Sequence, residues 1–358
     1  MKIRINNILM WFATLGMLAT ASILSTACSK TSPSPLPFGQ DYSSPYADYI
    51  NERTFSIYTG DEAGTGWIFK KSTDGDYSYY IGTNVHVISD FVEHPDYNLG
   101  LGYNPDFTKR NIVDWEHPDD NYFPISTDHF SVLGTGLTGA NKRPMIVPNA
   151  TYGQSSYECD VDFDIIHVDF GTADNIKNHD PNKIGSTSPL LDRLNRLNKV
   201  ASKNQGKICN FVDSSYNFDN LLDNGFHVAG FPVRLISHNN ADAPRWTSYH
   251  TTLSGHDYGF TPDNLPLDPN TLVWGDGING SLLYKELEFT PYTTPEFTGG
   301  ASGSIMIDND YNVVGIFNSA AVGFPFTPQD CGLVLDASNP AIFGANSYNV
   351  WNFYTDLH

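Results

Sequence analysis

Thr298-Gly299-Gly300-Ala301-Ser302-Gly303-Ser304, running into the apolar Ile305-Met306-Ile307, is the stretch that orients the whole chain. Gly300 and Gly303 bracket Ser302, so a tight turn can push one hydroxyl outward. With glycine at minus two, the N–H groups of Gly300 and Ser302 can point at one spot. Two such donors make an oxyanion hole, which stabilises a negatively charged tetrahedral intermediate. A serine hydroxyl is a weak nucleophile alone. It needs a histidine base, and that base needs a carboxylate to orient it.

Upstream, Gly64-Thr65-Gly66-Trp67-Ile68-Phe69 reads as a strand, Asp74-Gly75 as a turn, and Tyr77–Gly82 as the return strand. The return strand runs into Thr83-Asn84-Val85-His86-Val87, so a hairpin delivers His86 at its far end. The chain has eleven His, and a lone one is more often a satisfied polar group than a base. The Gly-x-Gly strand before it and the serine turn after it single out His86. Between them, Asp160-Val161-Asp162-Phe163-Asp164-Ile165-Ile166-His167-Val168-Asp169-Phe170 opens an apolar strand with acids. Asp162, followed by the apolar Phe163, Ile165 and Ile166, is one candidate acid. Asp164 is the alternative: strand alternation puts both on one face, but His167 would then fall at an apolar place.

These blocks resemble the chymotrypsin-fold serine proteases of the PA clan in the order His, Asp, Ser and in the serine turn. Thr83–Val87, Asp162–Phe170 and Gly299–Ser304 are more closely similar to the mycoplasma lipoprotein peptidase family that includes the mycoplasma immunoglobulin protease. The likeness spans about residues 50–335, and only those short blocks are specific. It implies a mostly β, two-barrel fold with inserted loops, and a serine endopeptidase with His86, Asp162 and Ser302 as the triad. It also implies Gly300 and Ser302 as oxyanion donors. In trypsin-like proteases the residue six before the nucleophile lies at the base of the specificity pocket. Here that is Glu296, with Asn318, Ser319 and Ala320 as one wall. The family has a small residue where Asp164 stands, and the immunoglobulin protease is much longer than this chain. Immunoglobulin presented by a partner surface protein is therefore one candidate protein substrate among others. The rival class is a catalytically silent lipoprotein of the same fold that binds a host protein or acts as an adhesin.

Residues 1–27 carry a targeting signal: Lys2 and Arg4, an apolar run from Ile8 to Leu24, then Ser25-Thr26-Ala27-Cys28. Small residues before a cysteine point to lipoprotein processing, with Cys28 lipidated and the chain anchored at the outer face of the cell membrane. Residues 28–46 read as a Pro-rich spacer, and residues 47–358 as the peptidase domain. The formal charge is −20, and loss of residues 1–27 removes two bases and no acid, leaving −22. A surface this acidic repels phosphate backbones, which argues against nucleic acid as a partner. Cys159, Cys209 and Cys331 remain, in no zinc-binding spacing, and the expectation is no metal and no cofactor.

The rest is rich in Gly, Pro, Asn and aromatic residues between short apolar runs, an all-β pattern. Val228–Pro232 reads as a strand, and residues 303–317 as a hairpin around Asp308-Asn309-Asp310. One helix is expected after Ser188-Pro189, with Leu190, Leu191, Leu194, Leu197 and Val200 at helical spacing. Residues 91–158 and 171–225 read as insertions.

Overall fold

The computed structural model describes residues 39–60, 63–84, 86–88, 91, 94, 96–113, 118–133, 145–146, 157–158, 163–212, 215–217, 219–232, 245–252, 286–289, 300–323 and 327–334. In chain order they form β1 (Gly39–Gln40), α1 (Pro45–Arg53), β2 (Thr54–Tyr58), β3 (Ala63–Lys71) and β4 (Ser78–Thr83). β5 (Leu99–Gly102), α2 (Pro118–Asn121), β6 (Phe123–Ile125), β7 (Phe130–Val132), β8 (Met145–Ile146), β9 (Tyr157–Glu158) and β10 (Asp164–Asp169) follow. Next come α3 (Ala173–His179), α4 (Pro189–Lys203), β11 (Asn210–Phe211), α5 (Asn220–Asn224), β12 (Phe226–Gly230) and β13 (Thr247–Thr251). β14 (Glu286–Phe289), β15 (Ile305–Ile307), β16 (Asn312–Gly323) and β17 (Thr327–Val334) complete them.

The first sheet runs β6-β5-β2-β3-β4-β10-β7. Its edge strands, β6 and β7, are joined by residues 126–129, a turn closed by the His129 amide on the Ser126 carbonyl. In a flat seven-stranded sheet the edges would lie about 29 Å apart. A connection this short reaches at most about 17 Å, so the sheet must curl into a barrel. β6 and β7 then act as two arms of one bent strand. Taking the six resulting strands as first to sixth along the chain, their order around the barrel is first, second, third, sixth, fifth, fourth.

The second sheet repeats this order. Its path β13-β12-β15-β16-β17-β14 is the same ring, opened between its second and third strands among the described residues. β1 extends it beyond β13, and β11 adds a parallel partner to β16. Two six-stranded units with one connectivity make the mostly β, two-barrel architecture that the sequence predicts.

The period of two sets the packing. Met306 and Val228 enter the second unit's own cluster with Phe226, Val314 and Phe317. Ile305, Ile307 and Ala229 point the other way and join the larger cluster built on the first barrel. α4 lays Leu190, Leu191, Leu194 and Leu197 into that larger cluster. Ser188 caps it by accepting the Leu191 amide, as read from the sequence. The buried Arg193 ties it to the barrel through the carbonyls of Thr54 and Asn104.

The expectation of at least one helix holds: beside α4, α1 starts at Pro45 with Ser44 as its cap, and α3 at Ala173 with Thr172 as its cap. Two expectations change. Residues 91–158 are not simply an insertion, because they hold β5, β6 and β7, which complete the first barrel. Residues 39–46, read as spacer, also take part in the fold, because Gly39 and Gln40 pair with His250 and Tyr249.

Candidate active site

β3 opens with the Gly-x-Gly of the sequence, and its middle residue is where the two barrels meet. The buried Thr65 donates its amide to the Ser302 carbonyl at 2.8 Å. Its Oγ1 donates to the Gly300 carbonyl at 3.0 Å and accepts the Phe231 amide at 2.9 Å. Its own carbonyl accepts Thr83 Oγ1 at 2.7 Å. One residue of the first barrel thus grips the serine turn, the end of β12 and the end of β4.

The flanking glycine explains the approach from the histidine side. A Cβ on Gly64 would lie 2.3 Å from Val87 Cγ1. Its absence lets the 3-10 turn His86–Ile88 close on the start of β3. Val87 and Ile88 are buried there, and His86 is half-buried at the head of the turn. His167, close to the acids in sequence, is held by Ser78 Oγ at 3.0 Å, toward the opposite end of β4.

The serine turn is shaped by two residues in the left-handed region: Gly300 at φ 84° and Gly303 at φ 89°. A Cβ on Gly303 would lie 1.9 Å from the Thr65 carbonyl oxygen, so no side chain fits. The Gly303 amide donates to the Phe317 carbonyl, and the Phe317 amide to the Ser304 carbonyl. The Ala301 carbonyl accepts both the Ser304 amide at 2.9 Å and Ser304 Oγ at 2.5 Å. The carbonyls of Gly300, Ala301 and Ser302 are therefore all held. Among the described residues, the amides of Gly300 and Ser302 donate to no acceptor. Ser302 keeps 9 % of its surface exposed. Its Oγ makes no hydrogen bond to another described residue.

Asp164 opens β10 opposite Thr83, three residues before His86. It is fully buried, and its Oδ1 accepts the Ile165 amide at 2.6 Å. Asp162, Glu296, Cys28 and Cys159 lie outside the described residues. Asn318, Ser319 and Ala320 run along β16, where its pairing with β17 shifts register between Phe317 and Ser319. Cys209 is a buried thiol outside any disulfide, its Sγ donating to the Ile68 carbonyl, and Cys331 falls in β17. Sequence reasoning missed Thr65, Thr83 and Ser304. The only sequence signal for Thr65 is the pair of glycines around it.

The family model described as Mycoplasma immunoglobulin protease matches residues 45–122, from α1 to the start of β6. That span contains the His86 region and not the serine turn. No curated protein matches the chain. Among solved structures, a Glu endopeptidase in complex with MPD is similar at 13% identity, with 89% of this chain and 96% of that chain covered and a TM-score of 0.41. The Rv3671c protease from M. tuberculosis, active form, is similar at 14% identity, with coverage of 87% and 89% and a TM-score of 0.38. The protease Anisep from Arthrobacter nicotinovorans is similar at 9% identity, with coverage of 82% and 96% and a TM-score of 0.37.

Proposed function

We propose that this protein is a serine endopeptidase in which Ser302 is the nucleophile, His86 the base and Asp162 the acid. The observation that carries the reading is the turn at 300–304. Every carbonyl from Gly300 to Ser302 is held, and among the described residues the Gly300 and Ser302 amides, beside the Ser302 hydroxyl, donate to no acceptor. In the reaction, Ser302 Oγ attacks the substrate carbonyl carbon while His86 takes its proton. The oxyanion is received by the two amides. His86 then gives the proton to the leaving amine, and water releases the acyl group from Ser302 by the same steps. Asp162 is preferred over Asp164 because Phe163, Ile165 and Ile166 follow it as the apolar positions that the trypsin-like pattern places after the acid. The family match over residues 45–122 supports the same class.

The finer reading has this enzyme lipid-anchored through Cys28 on the outer membrane face, acting on host proteins, with immunoglobulin as one candidate. It is supported by the apolar run before Cys28 and by the name of the matching family. Glu296 remains the proposed base of a pocket for Lys or Arg. The test is fluorophosphonate labelling of the purified protein, mapped by mass spectrometry. Labelling at Ser302 that Ser302→Ala abolishes, together with loss of peptide-bond cleavage, is the expected result. Asp162→Asn should lower the rate about 10⁴-fold and Asp164→Asn far less. A folded protein that does not label favours a binding lipoprotein instead.

A further inference from the structure

We infer that Thr65 is a positioning residue for the oxyanion turn, acting from the opposite barrel with Ser304 as its counterpart inside the turn. This rests on the serine-peptidase reading above. The hydrogen-bond roles are forced. The Phe231 amide can only donate, so it takes a lone pair of Thr65 Oγ1. The single hydroxyl proton is then committed to the Gly300 carbonyl, 3.0 Å away. A trans peptide sets its C=O and N–H in opposite directions. Holding the Gly300 carbonyl therefore fixes the peptide between the two oxyanion donors. Ser304, through its amide and its hydroxyl, holds the Ala301 carbonyl. That carbonyl shares its peptide with the Ser302 N–H, so the donor is fixed in the opposite direction. Thr65 adds a third hold through its amide on the Ser302 carbonyl.

The packing around Thr65 leaves this side chain little alternative. A Cβ on Gly230 would lie 1.9 Å from Ser304 Oγ and 2.9 Å from Thr65 Oγ1. The bare backbone of β12 thus lets both hydroxyls reach the turn. Thr65 is fully buried, so water has no route to replace its hydroxyl. Preset donors of this kind act without reorganising when charge develops, so a loosened turn should slow the chemical step more than it weakens binding.

The experiment titrates the purified full chain with a fluorophosphonate, whose phosphoryl oxygen takes the oxyanion position. It separates the labelling rate at saturation from the half-saturating concentration. Thr65→Val keeps the shape and removes the hydroxyl. It should lower the saturating rate roughly tenfold to a hundredfold and move the half-saturating concentration by less than about twofold. Thr65→Ser restores the hydroxyl and should return the rate to within about threefold of the wild type. A merely structural role would not be rescued in this way at matched melting temperature. Wild-type labelling by Thr65→Val overturns the inference, as does a folded Thr65→Ser as slow as the valine variant. If Thr65→Val does not fold, Ser304→Ala decides: a slowed saturating rate supports the inference, and an unchanged one overturns it. A wild type that never labels at Ser302 removes the peptidase reading itself. Labelling of wild type and Thr65→Val alike removes only this inference.

Discussion

Acidification should loosen the contact between α1 and the second sheet, through His227. Its ring is stacked between Tyr46, at a centroid distance of 3.8 Å, and His250, at 4.5 Å. The residue is 3 % exposed. Asn309 Nδ2 donates to the Asn224 carbonyl, which turns Asn309 Oδ1 toward the ring, 3.0 Å from His227 Nε2. Nε2 therefore carries the proton in the neutral form. The second proton would have to enter at Nδ1, which is buried and, among the described residues, has no hydrogen-bond partner. Burial first, and the neighbouring His250 second, push the His227 pKa down from 6.5 to about 4. Asn309, Asp41 and Asp308 pull the other way without cancelling this. Burial also lowers His250. Because the folded pKa lies below the unfolded one, the unfolded chain binds the extra proton first. The full stabilisation is present above about pH 6.5 and is lost progressively as the pH falls toward 4. At 1.36 kcal/mol per pKa unit, His227 accounts for at most roughly 3 kcal/mol of that loss. Urea unfolding of the wild type and His227→Phe at pH 7 and pH 4 measures it. Phenylalanine keeps the stack and cannot titrate, and the carboxylates common to both proteins cancel in the difference. The wild type should lose roughly 2–3 kcal/mol more than the variant over this range. Equal losses would show that the buried imidazole is not the titrating element.

Two further substitutions probe the site and the helix that braces it. Gly303→Ala drives a methyl group to within 1.9 Å of the Thr65 carbonyl oxygen at a φ of 89°. It should cost more than about 3 kcal/mol and abolish fluorophosphonate labelling; a variant that labels and melts normally would contradict the geometry of the turn. Ser188→Ala removes both the cap on the Leu191 amide and the donor to Asp180 Oδ2, so it should destabilise the protein by about 1–2 kcal/mol in urea unfolding.

What the sequence makes legible is local. α4 is announced by Ser188-Pro189 and by leucines that return every third or fourth residue, and those same leucines are the ones buried. The hairpin of β15 and β16 is announced by Asp308-Asn309-Asp310, where Asp308 accepts the amides of Asp310 and Asn312. The same signature, Ser44-Pro45, starts α1. There it is masked by Pro33, Pro35 and Pro37 just upstream, which make the whole segment read as a spacer. β5, β6 and β7 escape for a different reason. They are three or four residues long, too short for a period of two to show, and β5 is Leu99-Gly100-Leu101-Gly102. Their identity comes from partners far away in the chain: β5 pairs with β2, and β7 with β10.

The site divides along the same line. Ser302 and its glycines carry their conformational requirement in the sequence, because positive φ and a missing Cβ leave no other residue at Gly303. His86 is legible as the far end of a hairpin. Thr65 is not, because nothing in Gly64-Thr65-Gly66 says that its hydroxyl will meet Gly300, 235 residues later, and Phe231, 166 residues later. A threonine in a strand is ordinarily there because it suits a pleated, half-buried surface. Its value here arises only after two barrels have closed on each other and excluded water from the seam. The glycines at 64, 230 and 303 share that origin. Each is the gap left for a neighbour from another part of the chain: Val87, Ser304 and the Thr65 carbonyl, respectively. Small residues that look interchangeable along the sequence thus mark the places where separate segments of the chain come within contact, and at Gly303 those segments belong to different barrels. On that argument the glycines, rather than the triad candidates alone, carry the sequence's clearest statement about how the site is assembled.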